Sequence, residues 1–217
     1  MVFSSNVFLF LFLPLFLASY YLCPSRYRNL LILIASYIFY AWWRVDFLVL
    51  FAGVTLWNYW IGQNIAAHGA RTAGAKRWVT IGVVSDLGVL GYFKYANFGV
   101  DSFNALLGTV GMEPLAFASV LLPIGISFYT FEAISYIIDV YRGDTKPARN
   151  LVDFACFVGL FPHLIAGPVF RYKDLADQFN DRRHSVDLFA EGAVRFMQGF
   201  IKKVFIADSI APIADAG

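Results

Sequence analysis

Four polar side chains share one face of a predicted helix and are the first candidates for chemistry. Glu132, Ser135, Tyr136 and Asp139 lie at positions i, i+3, i+4 and i+7 of an otherwise apolar run, which places them on one helical face. Tyr129 extends that face towards the N-terminus. A carboxyl group in an apolar run is costly unless it faces protein or water, so we expect Glu132 to be functional. The alternatives are that a neighbouring helix holds Glu132 for packing and that Asp139, nearer the end of the run, is solvated.

A histidine lies in a second candidate segment, residues 161–168 (FPHLIAGP). Two prolines and one glycine within this segment break a helix, so we expect an irregular backbone around His163. Histidine is the usual general base near neutral pH. Because the sequence shows no nucleophile or carboxylate partner for it, a structural or substrate-lining role is favoured over catalysis.

A basic stretch follows this segment. Arg171, Lys173, Arg182 and Arg183 lie among aromatic and acidic residues, a mixture typical of a helix at a membrane interface. Ordinary anchoring by positive charge is the favoured interpretation. The functional alternative is a basic rim that attracts an anionic cytosolic ligand, such as the phosphates of coenzyme A.

A further acidic residue, Asp86, lies in another apolar run, with Lys94 about two turns later. We expect Lys94 to extend its long side chain to an interface. For Asp86 the sequence leaves two alternatives, a structural role as a hydrogen-bonding side chain and a functional role.

Composition indicates the kind of fold that positions these residues. Of 217 residues, 59% are hydrophobic and 15% are charged, whereas soluble domains are about half apolar and about a quarter charged. This composition predicts a membrane protein. The net charge of +2 comes without a dense basic run, so nucleic-acid binding is excluded. Cys23 and Cys156 lie in apolar stretches, where we expect neither a disulfide nor a metal site.

Six apolar stretches approach the roughly 20 residues that a helix needs to cross a bilayer. They are residues 7–23, 29–43, 47–67, 78–95, 115–141 and 188–212. The expected fold class is therefore all-α, a polytopic transmembrane helical protein in which residues 1–217 form a single transmembrane region.

The distribution of Lys and Arg predicts the orientation of these helices. Basic residues follow the first, third and fifth stretches, whereas the loop 96–114 contains Asp101 and Glu113 but no Lys or Arg. This pattern places the N-terminus outside. If residues 153–170 also crossed, the basic residues after them would lie outside, against this bias. We therefore expect 153–170 to be a re-entrant or broken membrane segment that returns to the cytoplasmic side.

Five sequence blocks carry a family resemblance. They are residues 1–5 (MVFSS), 36–42 (SYIFYAW), 91–98 (GYFKYANF), 123–131 (PIGISFYTF) and 162–168 (PHLIAGP). In this order, and over essentially the whole chain, they resemble the bacterial membrane-bound O-acyltransferases.

The resemblance implies a multi-pass protein of the bacterial inner membrane, in which an acyl group passes through a tunnel in a bowl of helices. It implies O-acetylation of an exopolysaccharide, alginate, with acetyl-CoA or another cytoplasmic acetyl donor as substrate and no bound cofactor or metal. The implied partners are membrane lipids and periplasmic polysaccharide acetylation proteins. The residues expected to line or support the tunnel are Ser127, Tyr129, Glu132, His163 and Arg171.

No catalytic residue is assigned within the chain. The essential histidine of the family follows a tryptophan, and no tryptophan here precedes a histidine. The five tryptophans are Trp42, Trp43, Trp57, Trp60 and Trp78. We therefore expect the family histidine beyond Gly217, residues 1–217 to be the N-terminal part of a longer domain, and the chain alone to be inactive.

Two other functions fit the same residues. A transporter or flippase component for a polysaccharide precursor would use Asp86, Glu132 and the broken segment as a path, although no pair of matching halves is visible. A non-catalytic membrane scaffold for periplasmic partners would tolerate substitution of Glu132 and His163. The sequence contains no glycine-rich phosphate loop, no His-Glu-x-x-His and no Gly-x-Ser-x-Gly motif, so it carries no self-contained catalytic motif of these kinds.

Overall fold

The fold is that of a computed structural model, which describes residues 3–165, 167–179 and 182–215. Regular structure within these residues is entirely helical, so the all-α class is confirmed. The chain divides into two compact units, one formed by Cys23–Phe179 and one by Met1–Leu22 with Asn180–Gly217.

Ten α-helices are found in the described part of the chain. They are α1 (Leu13–Leu22), α2 (Arg28–Ala41), α3 (Asp46–His68), α4 (Ala73–Thr109), α5 (Ile126–Arg142), α6 (Leu151–Gly159), α7 (Phe161–Leu164), α8 (Tyr172–Leu175), α9 (Val186–Ile201) and α10 (Asp208–Asp215). Shorter helical turns are of the π type at Phe8–Phe12 and Lys202–Ala207, and of the 3₁₀ type at Ser25–Tyr27 and Ala176–Phe179.

The predicted membrane spans are not confirmed. The six apolar stretches are wholly or largely helical, but among the residues described no helix has both the length and the apolar character that crossing a bilayer requires. For example, α2 has only 14 residues, and Asn58, Gln63 and Asn64 interrupt the apolar sequence of the longer α3. The expected polytopic transmembrane fold is therefore wrong. The predicted orientation and the re-entrant membrane segment depended on those spans and have no support without them.

The core of the unit Cys23–Phe179 is built from α3, α4 and α5, which pack against one another. The ring of Phe51 on α3 lies 5.0 Å from that of Tyr129 on α5 and 5.2 Å from that of Tyr40 on α2, centroid to centroid. All three aromatic side chains are buried. Burial of such large apolar surfaces stabilises the arrangement and fixes α5, the helix that carries most of the candidate residues.

Local sequence signals define the ends of α4 and α5. The Thr72 hydroxyl caps α4 by accepting the N–H of Ala75 at 3.2 Å, as expected for a threonine before a helix. Gly143, with φ of +79°, ends α5 in the left-handed conformation that glycine adopts without strain. The N–H of Arg71, in the turn between α3 and α4, donates to the Tyr141 carbonyl at 3.0 Å. The turn before α4 and the last turn of α5 are thereby joined.

The connection between α4 and α5 contains residues 112–123, which have no regular structure. The side-chain amide of Asn97 on α4 pairs with both backbone groups of Val120, at 2.8 Å each. Asn104, two turns later, pairs in the same way with Leu115, at 2.8 and 3.2 Å. These bonds satisfy backbone groups that a helix would otherwise satisfy internally. The predicted stretch 115–141 is therefore helical only from its second third onwards.

The unit of Met1–Leu22 with Asn180–Gly217 brings α1 and α9 together. Ser185 caps α9 by accepting the N–H of Leu188 at 3.1 Å, and the ring of His184 stacks edge-on against Tyr20 and Tyr21. A groove of about 430 Å³ lies between the two helices and is lined mainly by apolar side chains.

Candidate functional site

Glu132 and His163 meet in the interior of the unit Cys23–Phe179. Glu132 is 1% exposed and His163 is 5% exposed, and Glu132 Oε1 lies 3.2 Å from His163 Nε2. The same nitrogen lies 3.1 Å from the backbone oxygen of Phe157. The structure thus brings together two of the residues that the sequence indicated separately.

The neighbours of His163 Nε2 determine what this imidazole can do. Because the Phe157 carbonyl can only accept a hydrogen bond, Nε2 carries a hydrogen. The Glu132 carboxyl lies within reach of two hydrogen-bond donors, His163 and the backbone of Phe170. Burial raises the pKa of the carboxyl, and these two neighbours oppose the rise. With Nε2 protonated, His163 donates rather than accepts at that atom.

Backbone features hold His163 against α5. Gly125 precedes α5 with φ of +77°, and a Cβ at this position would collide with the backbone oxygen of Leu164. On the other side, the N–H of Phe161 donates to Ser36 Oγ on α2 at 3.2 Å. The helix break predicted for this part of the chain is observed as the end of α6 and the single turn α7. The break turns the chain so that His163 faces Glu132.

Asp139 binds Arg171 two turns further along α5. Asp139 is 1% exposed, whereas the Arg171 side chain is 39% exposed. Arg171 Nε donates to Asp139 Oδ2 at 3.1 Å and its Nη2 donates to Asp139 Oδ1. The hydrogen bonds that Arg171 donates to Asp139 raise the pKa of the guanidinium. The expectation that Asp139 is solvated is therefore wrong, because it forms one side of a two-point ion pair.

Residues 163–171, here called the strap, are joined to α5 at both ends. Glu132 and Asp139 are separated by about 10 Å along the helix. Glu132 contacts the first residue of the strap, His163, and Asp139 contacts the last, Arg171. Phe170 lies against the His163 ring at 5.6 Å between centroids; Ala166 lies outside the described residues. The two ends of the strap therefore contact α5 in the same order as the chain runs, on the face that the sequence predicted.

The other two tunnel candidates are placed differently. Tyr129 is buried one turn before Glu132, and its hydroxyl lies next to that of Tyr40 on α2. Ser127 is half-buried in the first turn of α5, and no hydrogen bond joins it to Glu132 or His163 in the described part of the chain. The structure thus groups Tyr129 with the buried pair and leaves Ser127 at the edge.

Tyr136 has a structural contact. Its hydroxyl accepts the N–H of Ala148 at 3.1 Å, and its ring packs against Phe154 and Tyr172 at 4.5 and 5.1 Å between centroids. Ser135, the fourth residue of the predicted polar face, is half-buried. The polar face is thus divided between an anchor for the following loop and the two carboxylates that hold the strap.

Sequence reasoning missed the groups that complete the site. The Phe157 carbonyl is a backbone group, and a pattern of side chains does not identify backbone groups. Ser36 lies 125 residues from its partner Phe161, so no local pattern connects the two. Asp139 and Arg171 were both visible as charges, but their pairing depends on the turn of the strap. In the ranges described, no group of three or more His, Cys, Asp or Glu side chains could hold a metal ion.

Comparison with known proteins gives a consistent set of relatives. The chain is 74% identical over 215 residues, 99% of its length, to a protein of Azotobacter vinelandii named probable alginate O-acetylase, and covers 43% of that relative. It is 72% identical to the Pseudomonas aeruginosa protein of the same name, with 99% and 41% of the two chains covered. It is 31% identical to the Helicobacter pylori peptidoglycan O-acetyltransferase, with 100% and 46% covered. No family model matches the chain, and no solved structure does.

Proposed function

We propose, from the kinship of this chain with bacterial O-acetyltransferases of cell-envelope polymers, that it is the N-terminal portion of such an enzyme. The resemblance predicted from the five sequence blocks is confirmed by relatives with 65–74% identity over 99% of the chain. The chain spans less than half the length of those relatives, so the activity of the whole protein is part of the proposal.

The proposed reaction is transfer of an acetyl group to a polysaccharide hydroxyl. The acetyl donor is acetyl-CoA or another cytoplasmic donor, and the acceptor polymer is alginate. With a thioester donor, a base takes the hydroxyl proton as the ester carbon–oxygen bond forms, the carbon–sulfur bond breaks, and the departing thiolate receives that proton. We assign that base to the part of the protein that follows this chain, because none of the tryptophans in residues 1–217 is followed by the histidine that the resemblance implies.

The proposed location is the bacterial inner membrane, where the complete enzyme would pass acetyl groups from the cytoplasm to periplasmic polysaccharide acetylation proteins. Membrane lipids would surround it. The names of the relatives support an enzyme that modifies cell-envelope polymers. No individual helix of this chain is assigned a membrane span.

The observation that carries a role for this chain is the buried pair of Glu132 and His163. A carboxyl group is costly to bury even beside a partner such as His163, and such costs are concentrated at functional sites. We propose that this pair, with Tyr129, supports the path of the acetyl group. Arg171, whose side chain is partly exposed, and Ser127 would lie at the edge of that path.

The test uses cells that lack the complete gene. Four strains are compared, which carry the complete reading frame, the 217-residue chain, the complete frame with Glu132→Gln, or the complete frame with His163→Ala. The measurement is the amount of acetyl ester per mass of secreted polysaccharide. We expect restoration by the complete frame only, and loss in both variants at normal protein abundance. Restoration by the short chain would contradict the assignment of the base.

The same cultures separate the competing functions. Normal acetylation in both variants would favour a scaffold over an acetyl path. A fall in the amount of secreted polysaccharide, with unchanged acetyl content of what remains, would favour a transporter or flippase component. Both measurements come from one preparation, so differences in growth affect them equally.

A further inference from the structure

A second buried carboxyl group lies outside the candidate site, between α3 and α4. Asp86 is 2% exposed and Asn58 is completely buried. The side-chain amide nitrogen of Asn58 donates to Asp86 Oδ1 at 2.9 Å. At the adjacent positions of the same two helices, Trp57 Nε1 donates to Ser85 Oγ at 2.7 Å. Two neighbouring polar contacts therefore join α3 to α4 in an apolar interior.

The Asp86–Asn58 contact is incomplete as a carboxylate–amide pair. Asp86 Oδ2 and Asn58 Oδ1 have no hydrogen-bond partner among the described residues. An amide oxygen can only accept, and so can both oxygens of an ionised carboxylate. If Oδ2 carries a proton, it becomes a donor while Asn58 Oδ1 remains an acceptor. Protonation therefore supplies the one donor that this pair lacks.

The surroundings of Asp86 also favour the neutral acid. Burial raises its pKa to about 7, and the hydrogen bond from Asn58 is the influence that opposes the rise. No ionisable group of α3, α4 or α5 in the described residues contributes a charge to it. On α5, the apolar side chain of Ile137 packs against α4 at Gly82. A negative charge at Asp86 would thus have no compensating cation within the part of the chain that the structure describes.

We propose that Asp86 and Asn58 form a proton-binding site, in which one proton on Asp86 Oδ2 completes a neutral acid–amide pair between α3 and α4. The proton comes from solvent and returns to it when Asp86 ionises. Ionisation leaves a buried carboxylate with only the Asn58 donor bound to it among the described residues, so binding of the proton favours the packed arrangement of the two helices. The site is separate from the strap and does not depend on the proposed acetyl transfer.

The experiment is infrared spectroscopy of the complete purified protein, with Asp86→Asn as the difference variant. A protonated carboxylic acid has a C=O stretch well separated from that of a carboxylate. We expect the wild-type protein to show this band at neutral pH, to lose it with a midpoint near the pKa of about 7, and the variant to lack it. A difference spectrum without the band would overturn the proposal.

A matched control is Asp101→Asn, which makes the same change at an exposed position of the same helix. It should leave the acid band unchanged, and an equal loss in both variants would contradict the assignment to Asp86. Asparagine at position 86 supplies an N–H donor in place of the acid O–H, so Asp86→Asn should accumulate normally. Failure of this variant to fold would also count against the proposal, and the wild-type titration does not depend on it.

Discussion

His163 directs its Nε2 hydrogen into a narrow space between the Phe157 carbonyl and the Glu132 carboxyl, at 3.1 and 3.2 Å respectively. Glu132 has no other polar side chain bonded to it in the described residues. His163 is held in turn by a strap that ends in the Arg171–Asp139 ion pair. Glu132 and Asp139, both on α5, therefore contact the two ends of the strap. We expect that disturbing one of these contacts also shifts the other.

Replacement of Glu132 by glutamine should lower acetyl transfer without unfolding the protein. Gln keeps the size of the side chain but has neither its charge nor its titrating proton, so His163 loses its acidic neighbour. We expect acetyl ester on secreted polysaccharide to fall by on the order of tenfold or more. The control is Ser135→Ala, a change at a half-buried position of the same helix, which should keep wild-type acetylation. Equal losses in the two variants would mean that α5 responds to any substitution.

Replacement of Arg171 by glutamine should destabilise the strap. Asp139 is 1% exposed, and removal of its partner leaves a buried carboxylate, at a cost of about 1–3 kcal/mol. The measurement is the midpoint of thermal unfolding of the complete protein. Lys173→Gln removes the same charge two residues away at an exposed position and should have little effect. The double variant Asp139→Asn, Arg171→Gln should recover part of the loss, and strictly additive effects would argue against the ion pair.

Replacement of Gly125 by alanine should be costly for two reasons. The residue has φ of +77°, a region that strains residues with a Cβ, and the new Cβ would strike the Leu164 backbone oxygen. We expect a loss of about 1–3 kcal/mol in the free energy of unfolding. Gly91→Ala is the matched change within α4, where a Cβ meets open space, and should stabilise by up to about 1 kcal/mol. If both variants gave the same sign, the close approach at Gly125 would be disproved.

Protonation of Asp86 predicts a pH dependence of stability. Its pKa is about 7 in the folded protein against an ordinary value of 3.8, so the folded state holds a proton that the unfolded chain releases. The stabilisation that this proton provides should therefore be complete below about pH 4 and should be lost as pH rises to about 7, a change on the order of 4 kcal/mol. Denaturant unfolding of the wild type and Asp86→Asn across this range checks the prediction. The wild-type curve should decline relative to that of the variant, and parallel curves would contradict it.

The helices and the polar face of α5 could be predicted because both depend on local periodicity. The stretch 47–67 became α3 with ends one residue away, and Glu132, Tyr136 and Asp139 are all buried on α5. The break near Pro162 was also predictable, since proline and glycine act on their own backbone. Each of these features is determined by a short segment of sequence.

Two other features could not be predicted from local pattern. The contacts of Glu132 with His163 and of Asp139 with Arg171 join residues about 30 positions apart, and they exist only because the strap turns back along α5. The prediction of membrane spans was wrong because it relied on an average over many residues. Composition averages over the whole chain, whereas crossing a bilayer is a property of each helix, and polar residues such as Asn58 interrupt the apolar runs.

The paired amides of Asn97 and Asn104 have a consequence for how this sequence can change over evolution. Both asparagines bind the backbone of the connection, at Val120 and Leu115, and neither bond uses the side chains of those two residues. The amino acids at positions 115 and 120 are therefore free to drift among types that keep an N–H. The number of residues between them is not free, because one inserted residue would move a peptide group away from its asparagine. We expect related sequences to differ in amino-acid type at positions 115 and 120 but to keep the same number of residues in this connection.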